Sequence, residues 1–254
     1  MTPMRFDFRQ ARAAAYCLAV CYFSIFALSW NGQDVGAYDE FIAALGARKL
    51  LSGARPHSDF WSIYPAGSAL FDAAAFRLFG ESVSVQRCLQ CVFAGLAAFA
   101  AMFHAFRRHA ARPSIAAFVG LASLALALPA GALLTGYALA LSAVLLHAAG
   151  GPRWAPPVLA AAAALCRVNF GGYAVIAILM GGGLRDIGRF AAAGLIAGGA
   201  YVLYSGAGLS EILDQTLIQP ARLMSLGRFL PAVGPWPLAA AAMPGLWFAI
   251  RAAS

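Results

Sequence analysis

Asp39 and Glu40 stand side by side just after a long apolar run, and Asp59 and the Tyr64-Pro65 turn follow within the next 26 residues. A carboxylate kept beside a bilayer is costly unless it faces water, a partner or a reacting group. Six of the ten acidic residues fall between residues 31 and 87, so this stretch is where chemistry is expected, at a membrane surface. A carboxylate in a partly desolvated place is a stronger base, provided that it stays ionised. Asp39, Glu40 and Asp59 are also hard oxygen donors of the kind that hold a divalent cation. The plain alternatives are that Asp39 and Glu40 are solvated acids in the first turn of an interfacial helix, where the helix dipole favours them, and that Asp59 caps its loop.

The cations offer a complementary chemistry. A guanidinium presents a planar fork that matches phosphate oxygens. Arg167 is the only charge inside a long apolar stretch, and such a residue faces a cavity or pairs with the carbonyls of a neighbouring helix. Arg87 stands at a helix mouth, and Arg222 and Arg228 fall in a later polar segment; each can bind phosphate or anchor the chain at the interface. The lone His57 reads as a surface residue rather than a ligand, and His104, His109 and His147 read as interfacial. Cys88 and Cys91 have the spacing of a redox or metal pair, but no second pair and no histidine stands near them. They read as small apolar residues one helical turn apart. All five cysteines lie in or beside apolar segments, so disulfides are not expected.

The elements that must carry these residues are set by composition. With 62% hydrophobic and 11% charged residues over 254 positions and a mean hydropathy of +0.75, the chain lacks the polar surface of a soluble globule. An all-α, polytopic transmembrane bundle is expected, as a single domain over residues 1–254. The formal net charge of +8 does not imply nucleic acid, because the arginines collect in short clusters between apolar spans, as the positive-inside rule describes. Arg5, Arg9 and Arg12 precede the first apolar run, Ala13 to Trp30, and place the N-terminus in the cytoplasm. Ala27-Leu28-Ser29 would suit signal cleavage, but the run is long enough to serve as an uncleaved anchor.

Residues 31–87 then form a first outer loop, periplasmic in a bacterial inner membrane. Tyr38, Phe41, Ile42 and Leu45 recur at helical spacing and suit a helix lying on the interface. Gly53 should end that helix, and a second should run from Pro65 to Phe79 and stop at Gly80. Spans are expected at about Cys88–Phe106, Ser114–Pro129, Gly131–Ala149, Phe190–Tyr204 and Trp236–Ile250, with residues 207–235 as a second outer loop. Residues Ala155 to Leu184 lie between two basic flanks and need an even number of crossings. They are too short for two full helices of about 20 residues, so two short helices or a re-entrant hairpin turning near Arg167 is one reading. A single continuous helix is the other.

The ordered run Tyr38-Asp39-Glu40, the helix ending Leu50-Leu51-Ser52-Gly53, then Arg55-Pro56-His57-Ser58-Asp59-Phe60, Tyr64-Pro65-Ala66-Gly67, Leu78-Phe79-Gly80 and Arg87 resembles the first outer loop of GT-C membrane glycosyltransferases. It is most similar to the branch of protein O-mannosyltransferases and the aminoarabinose transferase of lipid A. The resemblance covers about the first hundred residues; Leu165 to Tyr173 and Pro220 to Pro231 fit more loosely. It implies a sugar donor carried on polyprenyl phosphate, a lipid, glycan or protein acceptor, and Asp39 as the base for the acceptor hydroxyl, with Glu40 either orienting it or helping to bind a metal. It further implies donor binding by Asp59, Tyr64, Arg87, Arg167, Arg222 and Arg228, and it demands no metal or other cofactor. Two departures stand out: Ala66 replaces a usual second proline, and the chain is short for the family, as a truncated or minimal member would be. A transporter or flippase of lipid-linked sugars, with its site at broken helices around Arg167, and a carrier-binding accessory subunit are the rival expectations.

Overall fold

The computed structural model describes residues 39–109, 134–180, 186–220 and 222. Among them the chain is all-α, with a single isolated bridge between Pro56 and Phe60 and no strand. The expected spans at Ala13–Trp30, Ser114–Pro129 and Trp236–Ile250 lie outside the described residues.

The helix α1, Asp39–Leu51, ends as its sequence demands. Gly53 takes a φ of 89°, and the amides of Gly53 and Ala54 close back on the carbonyls of Leu50 and Lys49. Those two bonds satisfy carbonyls that a helix end otherwise leaves open. Ala47 is buried, and Gly46 lies so near Ala69 that an added Cβ would come within 3.1 Å of it. One face of α1 is thereby fixed on α2, Gly67–Phe79. Phe41, Ile42 and Leu45 of the same helix stay exposed. Gly80, with a φ of 90°, stops α2, also as expected.

The third helix, α3, spans Val83–His109. It begins five residues before the expected Cys88, because Ser82 caps it: the Ser82 hydroxyl accepts the Val85 amide at 3.2 Å. Arg87 is therefore not at a helix mouth but inside the first turns, 2% exposed. Beyond it, Ala94, Ala97, Ala98, Ala101 and Ala105 are all buried. This stripe of small side chains lets α3 pack closely on α4, Leu134–Ala148.

Residues 155–180 form two helices. The first is α5, Ala155–Cys166, and the second is α6, Val168–Met180, with Arg167 extended between them at φ −154° and ψ 123°. At about 1.5 Å per residue they are about 18 Å and 20 Å long, short of the roughly 30 Å hydrocarbon core. The reading as two short helices is the one observed, and that of a continuous helix is not. Gly171 permits the fold-back, since a Cβ there would fall 2.4 Å from the Cβ of Ala164. A hydrophobic core cluster among the described residues is built on this pair: Leu139 and Ala143 of α4, Ala160, Ala163 and Cys166 of α5, Ala174 and Ile178 of α6, and Phe190.

Phe190 belongs to α7, Ile187–Ser205, which ends at Gly206 with a φ of 68°. The residues after it are helical: α8, Leu209–Leu213, runs into a five-residue π-turn, Asp214–Ile218. Among the described residues two helices, Val83–Ala105 within α3 and the whole of α7, are long and apolar enough to cross a membrane. That is evidence of membrane association by length and composition.

Candidate functional site

The loop between α1 and α2 folds over the C-terminal half of α1. Asp59 turns it: its carboxylate accepts the Arg55 amide at 2.7 Å, and the Asp59 amide returns to the Arg55 carbonyl. The loop-capping alternative thus describes what Asp59 does in this structure, and its side chain does not line the cleft described next. From Phe60 to Ala66 the backbone forms one wall of a cleft of about 200 Å³. The opposite wall is α1, through Ile42, Leu45, Gly46 and Lys49, and the floor is Ser68, Ala69, Cys166 and Arg167.

Gly67 brings the helix break to this floor. A Cβ on Gly67 would lie 2.5 Å from the carbonyl of Leu165 and 2.8 Å from the Cys166 amide, so only glycine lets α2 start against that backbone. Arg167 consequently reaches the first loop from 100 residues away. Its guanidinium lies 3.8 Å from the centroid of the Tyr64 ring, a stacking that holds the charge at low conformational cost. Lys49, on the last turn of α1, lies 4.9 Å from the centre of the Phe60 ring. Two cations, each on an aromatic face, therefore share one hollow whose rim is apolar: Ile42, Leu45 and Trp61 are all exposed there. Such a site suits an anionic head with a greasy tail.

The two sequence candidates Tyr64 and Arg167 are brought together here. Asp39 and Glu40 open α1; by helical register position 39 shares a face with positions 42, 43 and 46, which line the cleft. Arg87 is buried in α3 away from the lining, Arg222 is exposed past the π-turn, and Arg228 lies outside the described residues. Among the described residues no three His, Cys, Asp or Glu side chains converge as metal ligands would. Cys88 and Cys91 are unbridged on α3.

Several participants were not evident beforehand. Lys49 reads in sequence only as a basic residue in a helix's last turn. Asp72 is 3% exposed and accepts the Gln86 amide nitrogen at 2.8 Å; an acid alone in the apolar run of α2 was the available signal. The expectation for His57 is corrected: it is not a surface residue but 2% exposed. His104 is buried within α3.

His57 is buried because α7 and the π-turn close over the loop from outside. Its ring meets Tyr201 edge-on at 5.8 Å, and its Nδ1 lies 2.9 Å from Gln215 Oε1. The Ser58 hydroxyl donates to the Ser205 carbonyl at 2.9 Å, satisfying a helix-end acceptor of α7. The Tyr201 hydroxyl accepts the Ala66 amide at 2.8 Å, at the N-cap of α2. A proline at position 66 would have no such proton to give.

No protein-family model matches this chain, and no curated protein or solved structure matches it significantly.

Proposed function

We propose that the protein is a multi-pass enzyme of the bacterial inner membrane that transfers a sugar from a polyprenyl-phosphate carrier to an acceptor hydroxyl at the periplasmic face. The observation that carries this reading is the shared cleft, in which Lys49 and Arg167 line the same hollow as an apolar rim from α1 and the Phe60–Ala66 wall. A carrier phosphate would sit between the two cations, with its prenyl tail leaving over Ile42, Leu45 and Trp61. In the transfer, the bond between the anomeric carbon and the phosphate oxygen breaks and a bond to the acceptor oxygen forms. Asp39 takes the hydroxyl proton, and the departing phosphate keeps the electron pair, its charge stabilised by Arg167 and Lys49. The register of α1 supports a base at position 39, on the cleft face of the same helix that carries Lys49. Glu40 is assigned to orient it, and the first outer loop keeps bulk water from the reacting atoms.

The test is transfer from a panel of labelled polyprenyl-phosphate sugars in membranes holding the full chain or its Asp39→Asn variant. We expect transfer with one donor and a drop of at least about a hundredfold in Asp39→Asn, the range of general-base catalysis. An Asp39→Asn enzyme as fast as its parent would refute the assignment. A second reading draws on one observation, the break at Arg167 between two helices too short to span. Broken helices of this kind form substrate sites in transporters. A flippase of lipid-linked sugars would move the carrier across vesicles without forming a glycosidic bond.

A further inference from the structure

We infer that Gln215 is a positioning residue for the cleft wall: its side-chain amide, presented by the π-turn, holds the backbone of His57 and Ser62 and thereby places Tyr64 under Arg167. The inference rests on reading the cleft as a site for an anionic lipid.

The amide makes three bonds. Gln215 Nε2 donates to the His57 carbonyl at 3.1 Å, and Gln215 Oε1 faces His57 Nδ1 at 2.9 Å and accepts the Ser62 amide at 3.2 Å. Reversing the amide would oppose two acceptors at His57 and two donors at Ser62, so only one orientation satisfies the backbone. That orientation requires His57 to carry its proton on Nδ1. His57 has a φ of 68°, the only positive value at a non-glycine residue among those described. A strained backbone of this kind persists where its surroundings over-determine it, and here the two bonds from Gln215 do so.

From this anchor the effect runs to the cleft by contiguous contacts. The Ser62 hydroxyl donates to the Tyr64 carbonyl at 2.7 Å, and the Tyr64 ring carries the Arg167 guanidinium. Gln219, one turn further on, secures the rim. It accepts the Trp61 indole N–H at 2.9 Å while its own amide donates to Asp214 at 2.7 Å. The π-turn is what aims both glutamines at one loop. Such widened turns are uncommon and recur at functional sites. The ring of His57 fills the space behind the wall, but the bonds that fix the wall are made to backbone atoms.

The experiment uses the full chain in detergent, with farnesyl phosphate as the probe, and reads binding by titration calorimetry and amide hydrogen exchange by mass spectrometry. Gln215→Ala should weaken farnesyl phosphate about tenfold, the loss of one buried hydrogen-bonding unit. It should also speed exchange across residues 60–66 while leaving α4, α5 and α6 unchanged. His57→Gly, which suits the left-handed backbone and leaves both backbone bonds to Gln215, should bind within about twofold of the parent. The inference is overturned if Gln215→Ala leaves both readouts unmoved, if its exchange rises equally in α4–α6, or if His57→Gly fails as badly as Gln215→Ala. If the parent binds no farnesyl phosphate, the anionic-lipid reading falls, and exchange of residues 60–66 in Gln215→Ala alone decides the positioning role.

Discussion

Arg167 shows how a residue's surroundings decide what it can do. In an unbroken helix its side chain would have to be paired in the apolar interior or extend to the interface. In the extended break it stacks on Tyr64 at 3.8 Å and lines the cleft with Lys49. A lysine could supply the charge but not the planar fork or the flat face. Arg167→Lys should therefore bind a prenyl phosphate about tenfold more weakly, and Arg167→Gln about thirtyfold, equivalent to about 2 kcal/mol for a charge-assisted bond to phosphate. Tyr64→Phe keeps the stacking ring and should stay near the parent. Binding of farnesyl phosphate to the three variants tests the order; equal affinity in Arg167→Gln would remove Arg167 from the site. The exposed pair Arg48–Glu81, at 3.1 Å, should matter little beside these, as surface ion pairs do.

At the scale of elements, glycines do two different jobs that one substitution separates. Gly67 has no room: an added Cβ meets the backbone of Leu165 and Cys166, and backbone cannot move aside as a flexible side chain can. Gly67→Ala should cost about 1–3 kcal/mol by overpacking and push the helix break away from the first loop. Gly53 has open space around it but a φ of 89°, so Gly53→Ala should cost only about 1 kcal/mol through backbone strain. Thermal unfolding in detergent compares them, and a Gly67→Ala protein as stable as Gly53→Ala would contradict the close approach. The local stops at Gly53 and Gly80 were legible because a chain neighbour encodes them. Tyr64 and Arg167 were each legible as candidates. Their meeting was not, since it depends on Gly67 touching a helix almost 100 residues later. The burial of His57 was hidden for the same reason: its partner Gln215 is 158 residues away, and no periodicity records such a pairing. The early start of α3 was missed because Ser82 acts through a cap, a signal weaker than the apolar run that follows.

For the molecule as a whole, the question is which solvent covers α7. Leu195, Ile196 and Leu203 are 76%, 73% and 83% exposed along it, although the helix meets α5 on its other side. A soluble protein rarely leaves a contiguous apolar face of this kind bare, whereas lipid covers it at no cost. Ile196 lies at the middle of Ile187–Ser205, which is about 28 Å long and so nearly matches the hydrocarbon core. A lysine at that depth is disfavoured by about 2.5–3.5 kcal/mol in lipid, whereas on a water-facing surface the same change is nearly neutral. Ile196→Lys should therefore lower the membrane-integrated fraction about a hundredfold relative to the non-inserted form, the equivalent of that free energy. Glycosylation-site mapping across the helix, together with alkaline extraction of membranes, measures it. Full integration of Ile196→Lys, or a parent protein found in the aqueous fraction, would mean that α7 faces something other than lipid.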